Sequence, residues 1–272
     1  MSDAAQAMAH WPGGPAEMQR WLAAVLLVSL RLLPLVAISI PLGRGTAANA
    51  LRLALAAVLA AALAPRALSG PATLPGDGYG LLLLGIRELL VGAVFAVAVA
   101  LPFFALRWAG ELTDLWRGSF FDQALQADER PSPLGALYLM ASLAFFFSLG
   151  GHRVAVEAFA RTLDSVPVGH ALSATGLGQA ALGGARLLGN AMALSAALCA
   201  PVAAALVLVE LVLGLVGRAA PQIPLFFLAM PLRAALGLGA ALLAMSFLFA
   251  DLGDLFLHAI GSASRLVEAL GP

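Results

Sequence analysis

Glu111, Asp114 and Arg117 follow one another at intervals of three residues, so a helix through them sets all three on one face. This is the densest acid–base grouping in the chain. Its ordinary use is a solvated helix face with an Asp114–Arg117 ion pair, worth about 0.2–0.5 kcal/mol. Four further charges, Arg31, Arg87, Glu88 and Glu210, interrupt apolar runs. At the centre of a bilayer such a charge costs roughly 2.5–3.5 kcal/mol. Residues of this kind either line a proton or ion pathway or pair structurally, within the chain or with a partner subunit. Structural pairing is the commoner use. Gly85, Glu88 and Gly92 fall near one helical face, where small residues beside a charge suit close helix packing.

Other chemistry is scarce. His10, His152, His170 and His258 match no metal-ligand spacing, and no HExxH, GxSxG or GxxxxGK[ST] pattern occurs. All fifteen basic residues are Arg, which excludes a P-loop or Schiff-base lysine. A lone Cys199 excludes an intrachain disulfide and a CxxC motif. The expectation is therefore a protein without a catalytic site, metal or cofactor. No basic patch interleaved with aromatics points to nucleic acid.

The elements that carry these residues are set by composition. Hydrophobic residues make up 61% of the 272 and charged ones only 11%, against about 45–50% and about 25% in a soluble domain. The expected fold class is all-α, built from polytopic membrane-type helical hairpins with Pro-broken helices and no β-sheet domain. Residues 1–272 read as a single membrane domain, with an N-terminal segment at 1–20, a helical-hairpin core at 21–250 and an amphipathic C-terminal helix at 251–272. The first segment, Trp21 to Leu42, is long enough to cross a bilayer and lacks a signal-peptide cleavage pattern. The second, Leu51 to Ala64, is short and stops at Pro65, as in a half-span or the return arm of a hairpin. Long apolar runs at 81–106, 187–216 and 223–250 follow, with a Phe-rich one at 134–149.

Between them, residues 107–133 read as a short helix followed by a central loop, and Gly169 to Gly184 as a flexible connection. In the central loop, Gly118-Ser119-Phe120-Phe121-Asp122 sets bulky aromatics beside a flexible glycine. Such a loop could block a pore, although loop aromatics more often pack down. Arg residues divide almost evenly between the two sides of the expected spans, so the positive-inside rule assigns no orientation.

Several local patterns together resemble the FliR/SctT family of type III secretion export-gate subunits. They are Arg31-Leu32-Leu33-Pro34 with Pro41; Arg87-Glu88-Leu89-Leu90-Val91-Gly92; Ala109-Gly110-Glu111-Leu112-Thr113-Asp114 leading to Gly118; Ser132-Pro133-Leu134; Gly150-Gly151-His152; and Arg218-Ala219-Ala220-Pro221-Gln222 followed by Phe226 and Pro231. They keep the family's order from about residue 30 to 235. Phe120 to Arg130 is more acidic and less Gly-rich than in flagellar members, which favours the injectisome branch.

The resemblance implies a multi-pass subunit of the bacterial inner membrane, lifted largely out of the bilayer plane by assembly. It implies P-type and Q-type export-apparatus subunits as partners in a pore complex, with other inner-membrane secretion components, membrane lipid and secreted substrate proteins as further contacts. A central loop plugs the closed channel in similar proteins. The matching positions here run from Arg117 to Arg130, with Arg117, Gly118, Ser119, Phe120, Phe121, Asp122 and Gln123 as the expected plug. Structural or inter-subunit roles are expected for Arg31, Pro34, Arg87, Glu88, Gly92, Gly110, Glu111, Asp114, Gly150, Gly151, Arg218, Pro221, Gln222 and Phe226. The chain would nucleate the channel, line it and gate the passage of unfolded proteins. From the charges alone, the alternative is a proton- or ion-coupled secondary transporter.

Overall fold

The computed structural model describes residues 14–38, 46–68, 78–118, 132–169, 172–220, 222 and 225–271. These form seven helices and no strand: α1 Gly14–Ile38, α2 Thr46–Leu68, α3 Gly78–Trp116, α4 Pro133–Ser148, α5 Gly151–Ser165, α6 Ala174–Ala219 and α7 Leu225–Glu268. Five stretches are long and apolar enough to cross a membrane, within α1, α2, α3, α6 and α7.

Local sequence accounts for several helix ends. Glu17 lies in the first turn of α1, where a negative charge meets the positive end of the helix dipole. Ser132 caps α4, accepting the Gly135 N–H at 3.0 Å, and Pro133 opens the helix where its missing N–H costs nothing. Ser173 does the same for α6, accepting from the Gly176 N–H at 3.3 Å. Gly150, at φ 71°, closes α4 in the left-handed conformation that favours glycine.

Four expectations about elements need correction. α2 is no half-span: its 23 residues begin at Thr46 and continue through Pro65, which sits in the last turn. The other internal prolines, Pro34, Pro102, Pro201 and Pro231, likewise lie inside continuous helices. Each removes one N–H donor, a loss that neighbouring groups can absorb in membrane helices. Residues 107–116 are the end of the 39-residue α3, not a separate short helix. Most of the expected flexible connection belongs to α6, and the amphipathic tail is continuous with the last apolar run in the 44-residue α7.

Two glycines near the start of α6, Gly176 and Gly183, serve packing. A Cβ on Gly176 would run into the Ala269 backbone, and one on Gly183 into the Leu266 side chain. Their absent side chains let this end of α6 approach the end of α7, whose residues Ala263, Val267 and Leu270 are buried at helical spacing.

The chain divides into two compact units. The first holds the described residues of Met1–Ala100, His152–Ala185 and Ala259–Pro272; the second holds those of Leu101–Gly151 and Arg186–His258. In the first, α1 packs on α2, and Phe95 meets Phe159 edge-on at 5.6 Å between ring centroids. In the second, Ala109, Leu134, Tyr138, Val202, Leu206 and Ala241 form one buried cluster. Phe103, Phe146 and Phe256 form an aromatic triad there with centroids 4.8–5.2 Å apart.

Candidate functional site

Two polar clusters, one in each unit, hold several of the residues singled out from sequence. In the first unit, Arg31 is fully buried within α1. Its Nε donates to Glu88 Oε2 of α3 at 2.6 Å. Its Nη1 and Nη2 donate to the carbonyls of Thr162 at 3.1 Å and Val166 at 2.9 Å. Those carbonyls lie at the end of α5, where the helix dipole is negative, and that of Thr162 also accepts the Val166 N–H at 3.0 Å. The second Glu88 oxygen accepts the Gly169 N–H at 3.4 Å. One guanidinium therefore joins three helices, with both carboxylate oxygens engaged.

Gly92 makes this possible, because a Cβ there would overlap the Arg31 carbonyl. Gly85 packs by Leu30, whose side chain would stand 3.0 Å from a Cβ at that position. Pro34, buried in the last turn of α1, carries no N–H to bond the Leu30 carbonyl. At the surface of the same unit, Arg66 of α2 binds Asp164 of α5 through Nε and Nη2 at 2.6–3.2 Å.

In the second unit, Asp114 occupies the junction of α3 and α4 and is buried. Its Oδ2 accepts from Ser132 Oγ at 2.5 Å and from the Leu134 N–H at 2.9 Å, and its Oδ1 from Arg117 Nη1 at 2.8 Å. The carboxylate thus faces the positive N-terminus of α4 and one guanidinium. Gly110 lets α3 and α4 cross closely: a Cβ on it would lie 2.5 Å from the Leu134 carbonyl oxygen. Arg117 lays its aliphatic stem across Gly237 of α7, where a Cβ would come within 2.5 Å of its Cγ. One turn before Gly237, Arg233 Nη2 pairs with Glu210 Oε1 of α6 at 3.3 Å. Gly118, at φ 83°, lies beside Arg233 Nη1.

The carboxylates grouped by spacing part company. Asp114 turns inward to α4, whereas Glu111 stays half-buried and binds Arg107 Nε at 2.7 Å. Arg87 is half-buried and pairs with neither Glu88 nor any other described residue. Gly151 abuts the Phe146 ring. Arg218 lies exposed in the last turn of α6, favourable for the dipole, and Gln222 is exposed in the turn after it. Phe226 stands in the first turn of α7. Ser119, Phe120, Phe121, Asp122, Gln123 and Pro221 lie outside the described residues. Sequence reading did not single out Thr162, Ser132 as a cap, Arg233 or Gly237. Of these only the Ser-Pro pair carried a readable signal, that of a helix start.

The family model described as Bacterial export proteins, family 1, matches residues 22–259. The chain belongs to this family. It is the family that the local patterns resemble, and the match covers both polar clusters. The family member is 30% identical over 162 residues to Yop proteins translocation protein T of Yersinia pestis, covering 59% of this chain and 62% of that protein. It is 27% identical over 222 residues to the flagellar biosynthetic protein FliR of Escherichia coli, covering 80% and 82%. Secretion system apparatus protein SsaT of Salmonella typhimurium is 28% identical over 180 residues, covering 63% and 66%. With its five candidate spans, this export-family chain is a multi-pass inner-membrane protein.

Proposed function

We propose that the protein is a non-enzymatic subunit of a type III export gate, of the injectisome branch, that assembles with P-type and Q-type subunits. In that assembly it nucleates the channel, lines part of the pore and helps gate unfolded substrate proteins. The names of its relatives support a secretion or flagellar export setting.

The observation that carries an assembled state is the Glu210–Arg233 pair. Its side chains remain 51% and 35% exposed among outward-facing Leu208, Leu211, Val212, Met230 and Leu236. The two residues stand nine and eight positions from the facing ends of α6 and α7, about 12–14 Å along each helix. Charges exposed among large apolar side chains face protein or water rather than hydrocarbon. Helix length agrees: α3, α6 and α7 would reach about 58, 69 and 66 Å, twice what a bilayer core requires.

The stem of the proposed plug is Arg117–Gly118, seated by Asp114 and beside Arg233. The test of the assembly is native mass spectrometry after purification in mild detergent, with the small hydrophobic export subunits co-expressed. A discrete hetero-oligomer is the expected result. A chain that remains alone under these conditions overturns the reading.

A further inference from the structure

Among the described residues, Arg87 is the one cation of α3 left without a partner, and its surroundings say what it lacks. It lies nine residues, about 13 Å, inside α3. Its neighbour Glu88 points about 100° away around the helix, and both Glu88 oxygens are engaged, by Arg31 and by the Gly169 N–H. Among the described residues no hydrogen bond or ion pair reaches the Arg87 guanidinium, which is half-exposed. Around it the helix turns Leu83, Ile86, Leu90 and Val97 outward, four large apolar side chains at helical spacing. The cation thus sits within a greasy stripe that continues on either side of it along the axis.

Such a surface suits an apolar helix. Water or a lipid phosphate would engage the guanidinium alone and leave Leu83, Ile86 and Leu90 without a fixed protein neighbour. An apolar helix with a single acidic side chain would cover the stripe and neutralise the guanidinium in the same contact, and pairing in a low-dielectric setting is what stabilises an intramembrane charge. A bidentate guanidinium–carboxylate pair would also fix the register of the two helices. We infer that the Arg87 face of α3 is a docking site for one apolar helix of a separate polypeptide, whose carboxylate pairs with Arg87. This rests on the proposed function, since it requires the chain to work within an assembly.

The test uses the full chain co-expressed with the export subunits, carrying a photoreactive benzoylphenylalanine at Leu83 or at Leu90. The expected result is a crosslink from both positions to one apolar segment of another polypeptide that contains an Asp or Glu. Arg87→Glu lowers recovery of the complex at least tenfold, and Arg87→Lys lowers it less. Exchanging the partner's carboxylate for Arg restores assembly with Arg87→Glu, which a variant that merely failed to fold would not do.

Crosslinks only to a second copy of this chain overturn the inference. So does an unchanged complex with Arg87→Gln accompanied by loss of co-purifying phosphatidylglycerol, because the site then holds a lipid phosphate. If the unsubstituted chain assembles and Arg87→Glu assembles equally well, this inference alone falls. If the unsubstituted chain never assembles, the proposed function falls with it.

Discussion

Gly92 of α3 lies against the backbone of Arg31 in α1, one helical turn along α3 from Glu88, the carboxylate with which Arg31 pairs. Closeness of the two backbones and pairing of the two charges are therefore one feature. Gly92→Ala should push α1 from α3 and lengthen the ion pair, with a loss of about 1–3 kcal/mol, the usual range for overpacking. Thermal unfolding of the detergent-solubilised chain measures it. A melting temperature equal to that of the parent would show that the helices separate without strain.

The ion pair itself should be asymmetric under mutation. Glu88→Ala leaves a buried guanidinium with two carbonyl partners and no counter-charge, and should lose about 3–5 kcal/mol. The double variant Arg31→Met with Glu88→Leu removes both charges and should lose less than Glu88→Ala alone. A double-mutant cycle on chemical unfolding separates the terms. Equal losses in the single and double variants would refute the account.

Arg66→Ala should behave differently despite the short bonds to Asp164. Both side chains are about half exposed, at 45% and 50%. The expected loss is small and shrinks further as salt is added. Comparing melting temperatures at low and high ionic strength checks both parts.

At the α3–α4 junction, Ser132→Ala removes the cap of α4 and one donor to Asp114, for an expected loss of about 0.5–2 kcal/mol. Asp114→Ala removes the acceptor for Ser132, Leu134 and Arg117 together and should lose more than Ser132→Ala. Unfolding midpoints rank the two, and the reverse order would discount the carboxylate as the centre of the cluster.

The plug assignment makes an electrical claim. Deleting Gly118 to Gln126 should raise resting ion conductance through the assembled complex in planar bilayers. Gly237→Leu, which displaces the Arg117 stem, should raise it by a smaller amount. Conductance unaltered by either change removes the plug from the account.

Helical class, multi-pass character and the setting of Arg31 and Glu88 inside apolar helices were legible in the sequence, because apolar run length and charges inside such runs are local properties. The Gly85, Glu88 and Gly92 strip was legible for the same reason. The partners of these residues were not: periodicity identifies a face of a helix, not the helix that covers it. The carbonyls that complete the coordination of Arg31 lie 131 and 135 residues away, and backbone acceptors have no residue signature. Glu111 and Asp114 share a helical side by count, yet only the nearby start of α4 decides which turns inward. Gly176 and Gly183 of α6 were not legible as packing positions, because composition cannot distinguish a glycine that loosens a chain from one that admits a neighbour.

The three-way coordination of Arg31 also sets a schedule for biosynthesis. Glu88 follows Arg31 by 57 residues, so the ion pair can form once α1 and α3 have been synthesised. Its carbonyl acceptors in α5 emerge some 70 residues later, roughly 4 to 15 seconds at typical elongation rates. Throughout that interval the nascent chain carries a charged pair with two donors unsatisfied, in a greasy segment already leaving the ribosome. Whatever shields that segment acts on an unfinished polypeptide, well before the C-terminal helix exists.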